Sequence, residues 1–183
     1  MPSDMMIRKK ALKIQERLGM RIGIAYGTSR NPVVKSTPQA LDVLVNLYKI
    51  GMKAFVLPKE LFLSIQSATD LYKTEYANLL KIRDEAKRYN IELAVRHDSL
   101  PSEPDEVMRT FATISSVMGC RTFILNPAFY SKIMPKDQAL RLAVHKINEV
   151  VTSLRAGTKI GIETTGRMSE VGSLEDVLDI VKR

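Results

Sequence analysis

Two residues able to take part in metal or acid–base chemistry stand where apolar runs end: His97, followed by Asp98, and Glu163. Glu163 closes the run Lys159-Ile160-Gly161-Ile162. A loop bearing Gly166 and Gly172 follows, and Ser173 is suited to opening a helix. An acidic residue where a strand passes into a βα loop is placed for chemistry in a parallel α/β fold. The plain alternative is a solvated carboxylate at a strand end. A neutral imidazole plus a carboxylate forms part of a ligand set for zinc, manganese or iron, although catalytic zinc usually has three protein ligands. The other histidine, His145, lies inside a helical pattern between Val144 and Lys146 and is read as structural.

These residues need elements to position them. Short β-rich runs occur at Arg21–Tyr26, Lys53–Leu57, Ile91–Arg96, Arg121–Asn126 and Lys159–Glu163. They are nearly all apolar rather than alternating, as expected of parallel strands. Helical patterns lie between them: Leu41, Leu44, Val45 and Tyr48 share a face, as do Leu79, Ile82, Ala86 and Tyr89. Leu140, Val144, Ile147, Val151 and Leu154 recur at spacings of four and three. Gly51, Gly119 and Gly157 stand where a C-cap glycine belongs, and Thr37-Pro38 where a helix starts. An extra helix over about Met5 to Leu18, with the stripe Ile7, Ala11, Ile14 and Leu18, precedes the first strand.

The chain therefore predicts five βα units: an N-terminal helix over residues 1–20 and a single domain over 21–183. A doubly wound open sheet and part of a (β/α)₈ barrel both fit. No Gly-x-Gly-x-x-Gly follows the first strand and no Walker loop is present, which disfavours a dinucleotide-binding sheet.

Composition bounds the function classes. Hydrophobic residues make up 45% and charged residues 26%, ordinary globular usage. No apolar run approaches the roughly 18 residues that span a bilayer, and Met1–Lys10 lacks the apolar core of a signal peptide. Cys120 is alone, which excludes an intrachain disulfide and fits a reducing, cytoplasmic setting. The net charge of +8 favours anionic partners, nucleic acid first. A basic protein from a lysine-rich proteome explains the charge equally well.

The runs Arg96-His97-Asp98-Ser99, Leu125-Asn126-Pro127-Ala128 and Ile162-Glu163-Thr164-Thr165-Gly166, followed by Val171-Gly172-Ser173, resemble endonuclease IV. They also resemble the wider xylose isomerase-like barrel superfamily, which includes sugar epimerases. The opening Arg21-Ile22-Gly23-Ile24-Ala25-Tyr26 is similar to the family's first strand. The likeness runs through nearly the whole chain after Met20 and covers about the first five-eighths of the family's barrel. It implies an α/β fold, a partial (β/α)₈ TIM barrel of about five parallel strands with outer helices. It also implies zinc or another divalent metal such as manganese or magnesium, and cleavage of DNA phosphodiester bonds at abasic sites during repair. By the same likeness His97 is a metal ligand, and Glu163 is a metal-bridging carboxylate that helps hold the attacking hydroxide. Metal-bound water acidifies toward neutrality, and paired ions stabilise nucleophile and leaving oxygen together.

The chain departs from that pattern. Asn126 stands where the family has a metal-binding histidine before proline, and Ala25 and Tyr26 occupy the first-strand position of another. Roughly two ligands of a multi-metal set remain, so the metal site is expected to be weak or absent. The chain is expected to be a truncated or divergent member, with truncation favoured by its end at Val181-Lys182-Arg183 inside a helical pattern. Three readings follow: a metal-dependent abasic-site endonuclease, a xylose isomerase-like sugar isomerase or epimerase using a glutamate as acid/base, and a non-catalytic nucleic-acid-binding remnant. Candidate substrate or DNA contacts are Tyr26, Lys59, Asp98, Asn126, Lys132 and Arg167, with Arg30 and Lys35 also on the loop side. Phosphate neutralisation dominates DNA affinity, while a solvated rim or rim packing is the plain role for each such lysine, arginine or tyrosine, Tyr130 included. Five barrel strands leave two open edges, which predicts either a homo-oligomer or a missing C-terminal half of the barrel.

Overall fold

In a computed structural model, the residues described are 4–25, 34–62, 65, 70, 73, 77–97, 105–125, 128–129, 133–154, 156–164 and 170–182. The elements run α1 (Asp4–Leu18), β1 (Gly23–Ala25), α2 (Thr37–Ile50), β2 (Ala54–Leu57), a 3₁₀ turn (Lys59–Phe62), α3 (Ala77–Arg88), β3 (Glu92–His97) and α4 (Asp105–Val117). They continue with β4 (Thr122–Leu125), β5 (Ala128–Phe129), α5 (Lys136–Ser153), β6 (Lys159–Ile162), β7 (Glu170–Val171) and α6 (Leu174–Lys182). One sheet of five strands has the order β1-β2-β3-β4-β6, every pair parallel. Sequential parallel order with helical crossovers is the first five units of a (β/α)₈ barrel, as the strand and helix patterns predict.

The register separates the two faces of the sheet. Ile24, Phe55, Leu57, Leu93, Val95, Phe123, Leu125, Ile160 and Ile162 share one parity, and all pack into or against the hydrophobic clusters under the helices. The opposite parity carries Ala25, Ala54, Val56, Glu92, Ala94, Arg96, Thr122, Ile124, Lys159 and Gly161, none of them in those clusters. Side chains alternate across a strand, so this second set lines the concave face that a closed barrel would enclose. It mixes small, β-branched and charged residues, and the described ones on it are intermediate in exposure or exposed. Gly23 keeps β1 tight against β2, because a Cβ there would run into the Ala54 backbone.

Two helical stripes differ from expectation. On α1 the apolar set Ile7, Ile14 and Leu18 is exposed, at 42%, 52% and 56%. The buried residue is Gln15. Its Nε2 donates to Ala11 O at 3.2 Å and to Gly51 O at 2.7 Å, and its Oε1 accepts from Ile22 N–H at 2.8 Å. Gly51 caps α2 at φ 81°, and a Cβ there would press on Arg8 O at 2.8 Å. The arginine guanidinium lies 4.1 Å from the centre of the Tyr48 ring. A polar, close-approach interface therefore overrides the apolar periodicity. On α5 the buried positions are Ala139, Leu140, Ala143, Lys146 and Val150, while Val151 is exposed. Val144, Ile147 and Leu154 of the expected stripe still pack against the clusters, while Ala139 and Ala143 pack with Leu140, Val171 and Ile180.

Candidate functional site

Among the described residues, the C-terminal end of the sheet brings together the charged side chains of Arg96 and Glu163. Glu163 follows β6 and still donates its backbone N–H to Leu125 O at 2.8 Å, so its main chain is held on the ladder. Arg96 lies on β3, in register with Ile124 of β4 and through it with Gly161 of β6. Glu163 is two residues beyond Gly161 and so shares its face. Arg96 reaches across β4: its Nε and Nη2 both lie 2.8 Å from Glu163 Oε2. The side chains are 19% and 35% exposed. No described residue hydrogen-bonds to Glu163 Oε1. One oxygen is thus fixed by a planar cation, and no described residue holds the other.

The loop after Glu163 is anchored at its far end. β7 pairs antiparallel with β5, Ala128 with Val171 and Phe129 with Glu170, tying the chain after β4 to the chain after β6. This ribbon was not legible in the strand pattern because each strand has two residues. Val171 is fully buried. Next, Ser173 Oγ accepts from Asp176 N–H at 3.2 Å, and Asp176 Oδ2 accepts from the N–H groups of Gly172 and Ser173, each at 3.3 Å. This reciprocal capping box opens α6 where Ser173 was expected to. Lys136 Nζ lies 2.7 Å from Asp176 Oδ1. Burial pushes the Asp176 carboxyl up, but the hydrogen bonds from Lys136, Gly172 and Ser173 outweigh it and hold the group below its usual value.

The sequence-derived site residues divide plainly. Glu163 is where the strand pattern puts it. His97 ends β3 at the C-terminal edge, paired in register with Leu125 and through it with Ile162, next to Glu163. The His97 side chain lies outside the described residues, as does that of Lys59, whose backbone opens the 3₁₀ turn after β2. Tyr26, Asp98, Asn126, Lys132 and Arg167 lie outside them altogether, as do Arg30 and Tyr130. Lys35 is exposed, its N–H donating to Gln39 Oε1. His145 is exposed on α5. The residue the sequence reading missed is Arg96. Its signal was present: a charge directly after the apolar run Leu93-Ala94-Val95, one residue before the strand ends at His97.

The metal ion implied by the motif resemblance does not fit the described residues. No group of three or more His, Cys, Asp or Glu side chains gathers among them. A guanidinium, itself a cation, occupies Glu163 Oε2. No chemical step is therefore assigned to a metal.

No protein-family model matches the chain, and no curated protein matches it significantly in sequence. Solved structures do match in fold. The probable 3-DHS dehydratase involved in petrobactin synthesis from Bacillus anthracis is similar with a TM-score of 0.61 at 14% identity, over 89% of this chain and 58% of that one. D-psicose 3-epimerase from Clostridium cellulolyticum gives 0.57 at 14%, over 88% and 56%. Another D-psicose 3-epimerase structure, with D-fructose, gives 0.62 at 19%, over 89% and 59%. The chain spans a little under three-fifths of each of these structures. At such identities the likeness carries the fold and not the activity, so the endonuclease IV activity expected from the motifs is not shown by it. The fold they share with this chain is part of a (β/α)₈ barrel, five parallel strands in sequential order with helical crossovers.

Proposed function

We propose that the chain is the substrate-handling part of a barrel enzyme of the sugar isomerase, epimerase or dehydratase kind. Glu163 moves a proton on carbon beside a carbonyl of a small polyhydroxylated substrate. The observation that carries this is the position of Glu163: a carboxylate on the concave face at the C-terminal strand end, with one oxygen fixed by Arg96 and the other held by no described residue. A general base needs its acceptor oxygen within hydrogen-bond reach of the proton, in a held orientation. Arg96 supplies the hold, and its charge offsets that of the carboxylate when a neutral sugar enters. The structural neighbours favour this reading over phosphodiester cleavage: by their printed names they include an enzyme that dehydrates 3-DHS and one that epimerises D-psicose at carbon 3. Both classes of reaction are consistent with proton transfer at a carbon near a carbonyl.

The test is hydrogen exchange. The full chain is incubated with D-fructose or D-psicose in deuterated water, and proton NMR follows loss of hydrogen from the carbons beside the carbonyl. Exchange above the buffer rate that disappears in Glu163→Gln supports the reading. Absence of exchange, together with cleavage of a duplex carrying an abasic site, overturns it in favour of the endonuclease reading.

A further inference from the structure

The opposite end of the sheet gathers more basic than acidic side chains. The residues that enter the strands stand side by side on the ladder. Lys53 N–H donates to Ile22 O, Glu92 N–H to Lys53 O, Arg121 N–H to Leu93 O and Lys159 N–H to Arg121 O. The N-terminal rim therefore reads Arg21, Lys53, Glu92, Arg121, Lys159 across consecutive strands about 4.8 Å apart. Between this rim and the C-terminus of α3 lies a cavity of about 250 Å³, lined among others by Arg21, Arg83, Lys87, Asn90, Glu92 and Arg121. A second cavity of about 480 Å³ adjoins it, shares Glu92, Gly119 and Arg121, and extends to Lys159.

The first cavity is preformed by backbone and by two tied arginines. Asn90 ends the α3 turn at φ 53°, and its N–H donates to Lys87 O. Arg21 reaches the carbonyl and side-chain oxygens of Asn90 at 3.4 and 3.5 Å, and Glu92 Oε2 at 3.4 Å. Arg83 donates to Val117 O at 3.3 Å and pairs with Asp84 at 3.0 Å. Lys87, Arg121 and Lys159 have no acidic partner among the described residues. Like charges held around one cavity repel, and the arrangement is stabilised when an anion enters. Lys53, on the same rim but lining neither cavity, has its pKa lowered from the ordinary lysine value by burial first, then by the Arg8 and Arg21 charges.

We propose that the N-terminal rim is a phosphate-binding site, with Arg21, Lys87 and Arg121 closing on one phosphoryl group. Guanidinium groups match phosphate oxygens in charge and geometry, and a lysine adds a mobile point charge. The cavity takes a phosphate group with room to spare. The continuation toward Lys159 accommodates either the rest of a small phosphorylated molecule or the next phosphate of a nucleic-acid backbone. The site lies at the other end of the sheet from Glu163 and does not depend on the reaction proposed there.

The experiment uses the full chain at low ionic strength, titrated calorimetrically with inorganic phosphate and with pyrophosphate. A fluorescent single-stranded oligonucleotide serves as the second arm. The variants are Lys87→Glu/Arg121→Glu, and Lys10→Glu/Arg141→Glu as a control of equal charge change elsewhere. All four side chains are exposed, and far-UV circular dichroism checks that folding is retained. Phosphate or pyrophosphate binding weakened about tenfold or more by the rim pair and not by the control supports the proposal. If the oligonucleotide binds with the same dependence and is displaced by pyrophosphate, the phosphate source is nucleic acid; if only the small anions bind, it is a small phosphorylated ligand. No binding of phosphate or pyrophosphate by the unaltered chain overturns the proposal, as does an equal loss in both double variants.

Discussion

Arg96 and Glu163 meet across the width of β4, with two N–H groups of one guanidinium converging on a single carboxylate oxygen at 2.8 Å each. The pair is too accessible to matter much for folding. Solvent reaches Glu163, so Arg96→Gln is expected to cost about 1 kcal/mol or less of stability. Its effect on chemistry should be larger, because the carboxylate loses its fixed orientation. Exchange dependent on Glu163 is expected to fall on the order of a hundredfold in Arg96→Gln, with partial recovery in Arg96→Lys. An exchange rate untouched by Arg96→Gln would show that the guanidinium does not position the carboxylate.

The strands were legible because parallel strands covered by helices are apolar runs, and Phe55, Val95 and Phe123 are buried as those runs require. Glu163 was legible for the converse reason: a charge at the end of such a run must face something polar. Arg96 was harder to see, since a charge within a strand reads as noise until the register shows which face it takes. The α1 face was misread because periodicity counts apolar residues and cannot count hydrogen bonds. Gln15 is buried by three of them, while Ile14 beside it is half exposed. The β5–β7 ribbon has no periodicity to detect at two residues per strand.

That inversion on α1 is measurable. Gln15→Leu leaves Ile22 N–H and Gly51 O without their partner in a buried setting, which costs about 1–3 kcal/mol. Thermal denaturation should show a fall of several degrees, at roughly 2–4 °C per kcal/mol for a chain of this size. Ile14→Ala, at a half-exposed position, should shift the midpoint much less. A larger effect of Ile14→Ala would mean that the apolar stripe, and not the glutamine, docks the helix.

Asp176 makes stability depend on acid. Its carboxyl is held below the ordinary value of 3.8, so the folded state binds the proton less readily than the unfolded state. The stabilisation is fully present above that unfolded value and is lost as pH falls through the lower folded value. Asp176→Asn should therefore be less stable than the unaltered chain at neutral pH, by about 1–3 kcal/mol. The gap should narrow as pH drops below 3.8. Urea denaturation at a series of pH values reads it directly, and a gap that stays constant into acid would exclude the charged hydrogen bonds as its source.

Cys120 is 4% exposed, and burial pushes its thiol up to about 12. The thiolate is the nucleophile, so the folded protein should react with an aromatic disulfide reagent far more slowly than a free thiol. In denaturant one equivalent should react at once, since the sequence has one cysteine. Rapid labelling of the folded chain would place Cys120 at a site that opens.

The last expectation concerns the two ends of the sheet. β1 and β6 each pair on one side only among the described residues. The helices beside these ends expose apolar stripes: Ile7, Ile14 and Leu18 on α1, and Leu174, Leu178 and Val181 on α6, the last at 70%. Unpaired strand edges and contiguous apolar surface favour association. The 183-residue chain is therefore expected to form a dimer or higher oligomer at tens of micromolar, through surfaces near Arg21–Ala25 or Lys159–Glu163. Sedimentation should show mass above that of one chain, and Ile14→Lys or Leu178→Lys should lower it, because a charge placed in a dry contact opposes association. A single monomeric species that binds no hydrophobic dye would count against this, because it would mean that these stripes are isolated surface residues needing no cover.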